Sequence, residues 1–363
     1  MIKSRIALLG ILFFALLSCQ QKLPDKTKKQ LVKTENFWKQ RTRLINKKSI
    51  NMEFPQKTDT TIMERRINRV YIDNMECQFE VFVDDVLLLR IMGEVTQNGG
   101  GITGDYDINQ LLLTSGKHEV IVRMYPKFNQ SVFGDEGYVN LKFSHFTRET
   151  FKKPTYFGDM NAHNGIHIDQ KDKQWIEKWD QESQTGYEGD YVAKQPDKFK
   201  GLPAYEWHRT FNAEVPFNLT GWRNSVDLKK EQDDEDKNIK NEVFDEYKKI
   251  HELFVKRDVA AYSSLVKERE DLITQALHYR EGEKKLREEE IVKLIQNTDY
   301  EVEPLFKETF QLDFQGYGKI VSLVHRADGE GIIRLKNKTN PDDNIYLDFR
   351  FQRKHKGDRL TVI

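Results

Sequence analysis

Two histidines four positions apart, His163 and His167, stand between Asp159 and Asp169. Such a set can offer imidazole nitrogen and carboxylate oxygen to zinc. H-x-x-x-H without a third fixed ligand or an adjacent glutamate is also a spacing that chance supplies, so no metal is expected. Asp105, Asp107 and Asn109 alternate oxygen donors as the start of a calcium loop does, but the glycine and distal glutamate that complete such a loop are missing. Gly99, Gly101 and Gly104 spell G-x-G-x-x-G after an apolar run. A dinucleotide needs a helix N-terminus behind those glycines, whereas here Asp105 and Asp107 follow at once and would repel phosphate. A loop is expected there, and no cofactor. The G-x-S-x-G elbow, the H-E-x-x-H zinc motif and the Walker loop do not occur. These residues give no support for an enzyme.

A second set suits recognition. Trp175, Trp179, Tyr187 and Tyr191 lie in a polar stretch beside Asp180, Glu188 and Asp190. Aromatic rings next to acids make contact surfaces for protein or glycan. The alternative is that they cap an open sheet edge. Glycan hydrolysis would further require two of the acids ~5 to 10 Å apart in a cleft. Trp175, Ile176 and Trp179 could share one face of a short helix starting near Asp172.

The elements that must position these residues are legible as two patterns. From about residue 60 to Phe217, apolar residues recur at every second position, as in Val139, Leu141, Phe143 and His145 against Asn140, Lys142 and Ser144. His118, Val120, Val122 and Met124 repeat it, as do Tyr205, Trp207, Arg209, Phe211, Ala213 and Val215. This is the period of half-buried antiparallel strands. Asp84-Asp85 separates two apolar runs as a hairpin turn would, and Ser115-Gly116-Lys117 opens the next strand. An antiparallel β-sandwich over 56–220 is expected, interrupted by a long aromatic loop over 147–203. A charged linker, 221–238, follows.

From Ile239 the period becomes helical, with Val243, Tyr247, Ile250 and Phe254 at three- and four-residue intervals. Asp258 reads as the N-cap of a second helix through Tyr262, Leu265 and Val266. Further helices are expected at 272–277 and 286–295. Alternation returns in Phe310, Leu312 and Phe314, in Ile320 to Val324, and in Ile345, Leu347, Phe349 and Phe351, before a Lys356-Gly357-Asp358 turn. Residues 239–363 are therefore expected to be a second, α+β domain of helices packed on a curved antiparallel sheet. A mature chain of about 340 residues is long enough for two cores.

The N-terminus is a different kind of segment. Lys3 and Arg5 precede an apolar run from Ile6 to Leu17, too short to span a ~30 Å hydrocarbon core with ease, and it reads as a signal peptide over 1–18. Leu16-Leu17-Ser18-Cys19 resembles the bacterial lipobox. That resemblance implies that Cys19 is diacylated, becomes the new N-terminus and anchors the protein to a membrane. An ordinary signal peptide cut nearby is the alternative. In lipoproteins of Gram-negative bacteria an aspartate after that cysteine marks inner-membrane retention. Gln20 stands here, which implies the outer membrane, with its face undetermined. Cys77 is the other cysteine, so no internal disulfide is expected once Cys19 is acylated. Residues 19–55, rich in Lys and Arg, read as a solvated basic tether that could lie against anionic headgroups or serve as a spacer. Lys plus Arg number 58 and Asp plus Glu also 58, so no global field favours a nucleic acid.

Two further resemblances concern fold. The stretch from Asp107 to Val122, with Asn109, an apolar run, Gly116 and a strand, resembles jelly-roll and carbohydrate-binding modules, where it orders a strand edge without touching sugar. The order of elements in the last third, with Lys256-Arg257-Asp258-Val259 between its first two helices, is similar to the nuclear transport factor 2-like cone. Compartment, two-part build and missing catalytic motif together resemble the lipoprotein immunity proteins of toxin-delivery systems. The expected function is non-enzymatic binding of a protein partner from a lipid anchor, with envelope glycan as the second ligand class.

Overall fold

The computed structural model describes residues 23–47, 65–134, 137–147, 155–156, 164–169, 174–178, 187–188, 201–235 and 238–363. It opens on helix α1 (Asp25–Lys47) and continues into strands β1 (Arg66–Met75), β2 (Cys77–Val83), β3 (Val86–Ile91) and β4 (Thr103–Asp107). A short helix, α2 (Asn109–Leu112), leads to β5 (Gly116–Pro126) and β6 (Tyr138–Thr147). β7 (Thr155–Tyr156), β8 (Asn164–Asp169), β9 (Gln174–Lys178), β10 (Tyr187–Glu188) and β11 (Tyr205–Ala213) follow. They pair into two antiparallel sheets, ordered β4-β1-β6-β8-β9, with β7 also on β6, and β10-β11-β5-β2-β3.

The period-two pattern explains the packing. Val70, Ile72, Val139, Leu141 and Phe143 from the first sheet share one buried core with Phe79, Val81, Val83, Val120, Val122, Met124 and Phe211 from the second. Asp84 and Asp85 both have positive φ, 47° and 59°, the geometry of a two-residue hairpin turn, and Val83 pairs with Val86 across it. Cys77 is a small core residue. Burial pushes its thiol up to about 12, and its Sγ donates to the Tyr138 carbonyl. Asn109 is fully buried; its Oδ1 accepts from Asn68 N, while its Nδ2 donates to Arg66 O and Ala276 O. The asparagine after β4 thus orders a strand edge.

Two expectations about this half need correction. Asn140 and Ser144 are buried along with Val139 and Leu141, so β6 is covered on both faces rather than half-buried. The long loop over 147–203 carries the strands β7 to β10, and Trp175 and Ile176 lie on β9 rather than on a helix.

The charged stretch at 221–238 is not a bare linker. Trp222 and Leu228 are buried, and α3 (Leu228–Glu235) places Glu231 3.1 Å from Arg353. α4 (Ile239–Lys256) buries Ile239, Val243, Tyr247, Ile250 and Phe254, the expected stripe, under a cap in which Asn238 accepts from Asn241 N. Asp258 likewise caps α5 (Val259–Ala276) by accepting from Ala261 N. The two helices expected after Asp258 are one, since α5 runs on through Leu272. α6 (Glu281–Gln296) completes the helices.

The remaining strands are β12 (Tyr300–Val302), β13 (Phe310–Gln315), β14 (Ile320–His325), β15 (Ile333–Asn337), β16 (Asn344–Leu347), β17 (Phe351–Gln352) and β18 (Thr361–Val362). They form two sheets, β12-β15-β16 and β13-β14-β17-β18, where one curved sheet is expected. The run from Ile345 to Gln352 splits because its middle leaves the ladder: Phe349 is 1% exposed in the core, and Arg350 donates to Leu87 O. An isolated bridge pairs Val324 of β14 with Gly331, two residues before β15.

α1 is the largest departure. Where a solvated tether is expected, Thr34, Phe37, Trp38 and Arg41 form a buried stripe at helical spacing. Phe37 stacks edge-on against Tyr125 of β5, and Trp38 Nε1 donates to Arg326 O just after β14. Phe37, Trp38, Met92, Tyr125 and Val324 make a core of their own, so α1 bridges the first and last thirds of the chain. Beside it, Gly93 lets the end of β3 approach the segment after β14: at φ 84° it sits where an added Cβ would lie 2.7 Å from Ala327 O.

Candidate functional site

Charged side chains on the outer face of β2, β3 and β5 meet α1 and β13 in a buried network. Glu80, Arg90 and Tyr125 point away from the sandwich core because their neighbours along the strands, such as Val81 and Met124, point into it. Arg41 Nε donates to both Glu80 oxygens at 3.1 and 3.0 Å, and its Nη2 to Asp313 Oδ1 at 2.6 Å. Arg90 makes the same pair of contacts from the other side, at 2.7 Å to Glu80 Oε1 and 2.7 Å to Asp313 Oδ2. Tyr125 Oη donates to Glu80 Oε2 at 2.8 Å, and Gln315 Nε2 to Asp313 Oδ2 at 3.1 Å. Two carboxylates and two guanidiniums alternate, so the charge is balanced where water is excluded.

Burial opposes the charge on Glu80, but Arg41 and Arg90 outweigh it and hold the carboxyl at about 2. Asp313 is held further down in the same way. Both groups are held as carboxylates by their guanidinium partners, and the cluster fastens α1, the β2–β3 hairpin and β13 together.

A second cluster flanks it. His208 on β11 faces Glu119 Oε1 at 2.8 Å through Nδ1 and Glu206 Oε1 at 2.9 Å through Nε2. Arg123 donates to Glu206 Oε2 at 2.6 Å, and Tyr317 Oη to Glu119 Oε2 at 3.2 Å. Burial disfavours the imidazolium, yet the bonds to Glu119 and Glu206 prevail and raise His208 to about 9. A third pair, His118 with Asp84 at 2.6 Å, looks like half a catalytic relay. His118 is fully buried, however, and its other nitrogen lies 3.1 Å from Thr114 O, so no substrate reaches it.

Two carboxyls do titrate closer to neutrality, both because burial raises them: Asp85 to about 6 and Glu330 to about 7. Asp85 accepts from Tyr317 N at 2.8 Å and belongs to the joint between the β2–β3 hairpin and the β13–β14 turn. An open cleft of about 640 Å³ runs between α5 and β18 and is lined by Ser264, Lys267, Glu268, Asp271, Gln275, Lys354 and Thr361 among others. Its lining mixes both signs of charge, and its acids are paired with lysines: Asp271 with Lys267 at 2.5 Å and Glu268 with Lys354 at 2.9 Å.

The residues singled out by type and spacing are distributed as follows. Trp175 lies on β9, the last strand of the first sheet, and Tyr187 on β10, the first strand of the second. Trp179, Tyr191, Asp180 and Asp190 lie outside the described residues, as do Cys19, His163 and Asp159. His167 and Asp169 are on β8. Asp105 is exposed, Asp107 pairs with Arg69 at 2.7 Å, and Asn109 is buried, so the three do not converge on an ion. Among the described residues no group of three or more His, Cys, Asp or Glu could hold a metal. The glycine motif ends in β4 and no phosphate-binding helix follows it.

The buried network escapes sequence reasoning, because Arg41 sits in a run of solvated cations and its partners lie far along the chain. The signal that could have exposed it is the helical spacing of Leu31, Thr34, Phe37, Trp38, Arg41 and Leu44. No helix among the described residues is long and apolar enough to cross a membrane. No family model matches this chain, and neither a curated protein nor a solved structure does.

Proposed function

We infer that the protein is a membrane-anchored lipoprotein, held through acylated Cys19, whose folded part binds a protein partner and performs no catalysis. The fold we assign is an antiparallel β-sandwich followed by an α+β domain, and the compartment is the outer membrane. The observation that carries the binding reading is that the aromatic segment supplies end strands to both sheets. β9, with Trp175, ends one sheet and β10, with Tyr187, ends the other among the described strands. End strands leave backbone donors and acceptors for another chain to pair with, and aromatic anchors beside them add specificity. The buried ion network and the enclosed histidine pairs support a non-catalytic role, since their charges are spent on each other. Toxin immunity is the sharper form of this reading.

Envelope glycan is the second reading, and it rests on the same aromatic residues. The chain from Gln20 onward, immobilised, should retain one protein in stoichiometric amount from envelope extract. The Trp175→Ala, Trp179→Ala, Tyr191→Ala triple variant should lose it. Retention on purified cell-wall glycan alone would favour the carbohydrate reading, and unchanged capture by the triple variant would move the site elsewhere.

A further inference from the structure

α1 has two faces with different work. Its buried stripe pins it to the body, so its opposite face is held in a fixed direction rather than fluctuating as a tether would. At about 100° per residue, Lys28, Lys29, Val32, Lys39 and Arg43 fall on the side away from Phe37, Trp38 and Arg41. All five are exposed. With Lys26 and Lys33, this helix shows six cations to solvent against Asp25 and Glu35. Val32 is 71% exposed in the middle of the cationic face.

The neighbouring turn extends the surface. Lys33 Nζ meets Glu94 Oε1 at 3.3 Å, which brings the helical turn at 94–96 alongside. Its Val95 is 72% exposed, and these two valines are the most exposed large apolar side chains among the described residues. Exposed apolar tips set among lysines are the composition of a surface that meets both headgroups and the outer acyl boundary. Only five residues lie between Cys19 and Asp25, a reach of about 20 Å fully extended.

We propose that the outward face of α1, with Val32 at its centre and Val95 on the turn beside it, docks on anionic phospholipid headgroups and fixes the orientation of the body on the membrane. The biological setting rests on the lipid-anchor reading, while the surface itself does not require the acyl chains. The cations attract the negative surface potential, and the two valines enter the boundary without desolvating a charge.

The test uses the unacylated chain from Gln20 onward, which keeps every described residue, sedimented with phosphatidylcholine vesicles that do or do not contain phosphatidylglycerol. Binding is expected only with phosphatidylglycerol, and it should weaken as salt is raised. Lys28→Ser, Lys29→Ser and Arg43→Ser together should lower vesicle affinity about a hundredfold, at about fivefold per cation, with the melting temperature unchanged. Val32→Ser should weaken binding without changing its salt dependence. Equal binding to both vesicle types, no binding, or an unaffected triple variant would overturn the proposal. The anchor is read separately from the mass of the native N-terminal peptide. Absent acyl mass with vesicle binding intact sinks the anchor alone, and the reverse sinks the docking surface alone.

Discussion

Arg41 on the first helix and Asp313 on β13 stand 272 positions apart in the chain, and their side chains meet at 2.6 Å. Arg90, from between them in sequence, holds the same aspartate at 2.7 Å and the same Glu80 that Arg41 holds. The ring of four charges closes only when α1, the β2–β3 hairpin and the C-terminal sheet are all in place. Its cooperativity is therefore that of three segments rather than of one salt bridge.

Replacing Arg41 by methionine keeps most of the volume and leaves Glu80 and Asp313 buried with one guanidinium between them. Removing one partner of a buried pair costs about 3 to 5 kcal/mol, because the orphaned charge keeps its desolvation penalty. Urea unfolding of the chain from Gln20 onward should show that loss. A change below about 1 kcal/mol would mean that α1 contributes little to the folded body.

Gly93 and Gly100 have nearly the same backbone, φ 84° and 85°, in different surroundings. A Cβ at Gly93 would lie 2.7 Å from Ala327 O, while one at Gly100 meets nothing within 4 Å. Gly100→Ala should cost ~1 kcal/mol, the strain of a left-handed residue alone. Gly93→Ala should cost more than twice that, because the joint must also open. Equal losses in thermal melts would show that residues 93 and 327 are not in contact in solution.

His208 should give stability an alkaline limb. Its folded value is raised to about 9 from an ordinary 6.5, so its contribution is full below 6.5 and is lost as pH climbs through 9. Asp85, raised to about 6, acts in the same sense but over a lower window, from its ordinary value of 3.8 up to 6. Glu80 acts oppositely, since its value of about 2 is depressed and its contribution disappears only in acid. Melting temperatures taken between pH 6.5 and 9 should fall for the wild type and stay flatter for His208→Gln. Parallel curves would remove His208 from the account.

The parts of the fold legible in the sequence are those whose signal is local. The α4 stripe from Ile239 to Phe254, the Asp258 cap and the Asp84-Asp85 turn each depend on residues within a few positions of one another. The parts that were not legible depend on distant partners. Arg41 counts as a solvated cation until Asp313 is placed beside it, and Gln315 becomes a joint residue only because Leu87 N donates to it. β16 and β17 read as one strand because alternation continues through Phe349, and sequence carries no mark of the change of sheet. Of the aromatic set, Trp175 and Tyr187 belong to short strands whose flanks are polar, and neither period stands out there.

The proposed lipid anchor can be tested apart from the basic face by one substitution. Cys19→Ser removes the only thiol that the lipobox-like segment offers for acylation while leaving Lys3, Arg5 and the apolar run intact. With acyl chains, the wild-type protein should partition into detergent and resist both high salt and carbonate, because burying each methylene contributes about 0.8 kcal/mol. The Cys19→Ser protein should leave the membrane fraction at high salt. At low salt a part should stay, held by the cations of α1, since that attraction is screened within about 10 Å at 0.1 M. Salt-resistant retention of Cys19→Ser would refute the lipid anchor and require another membrane contact, whereas full release at low salt would count against the α1 surface, which should hold part of the protein without acyl chains.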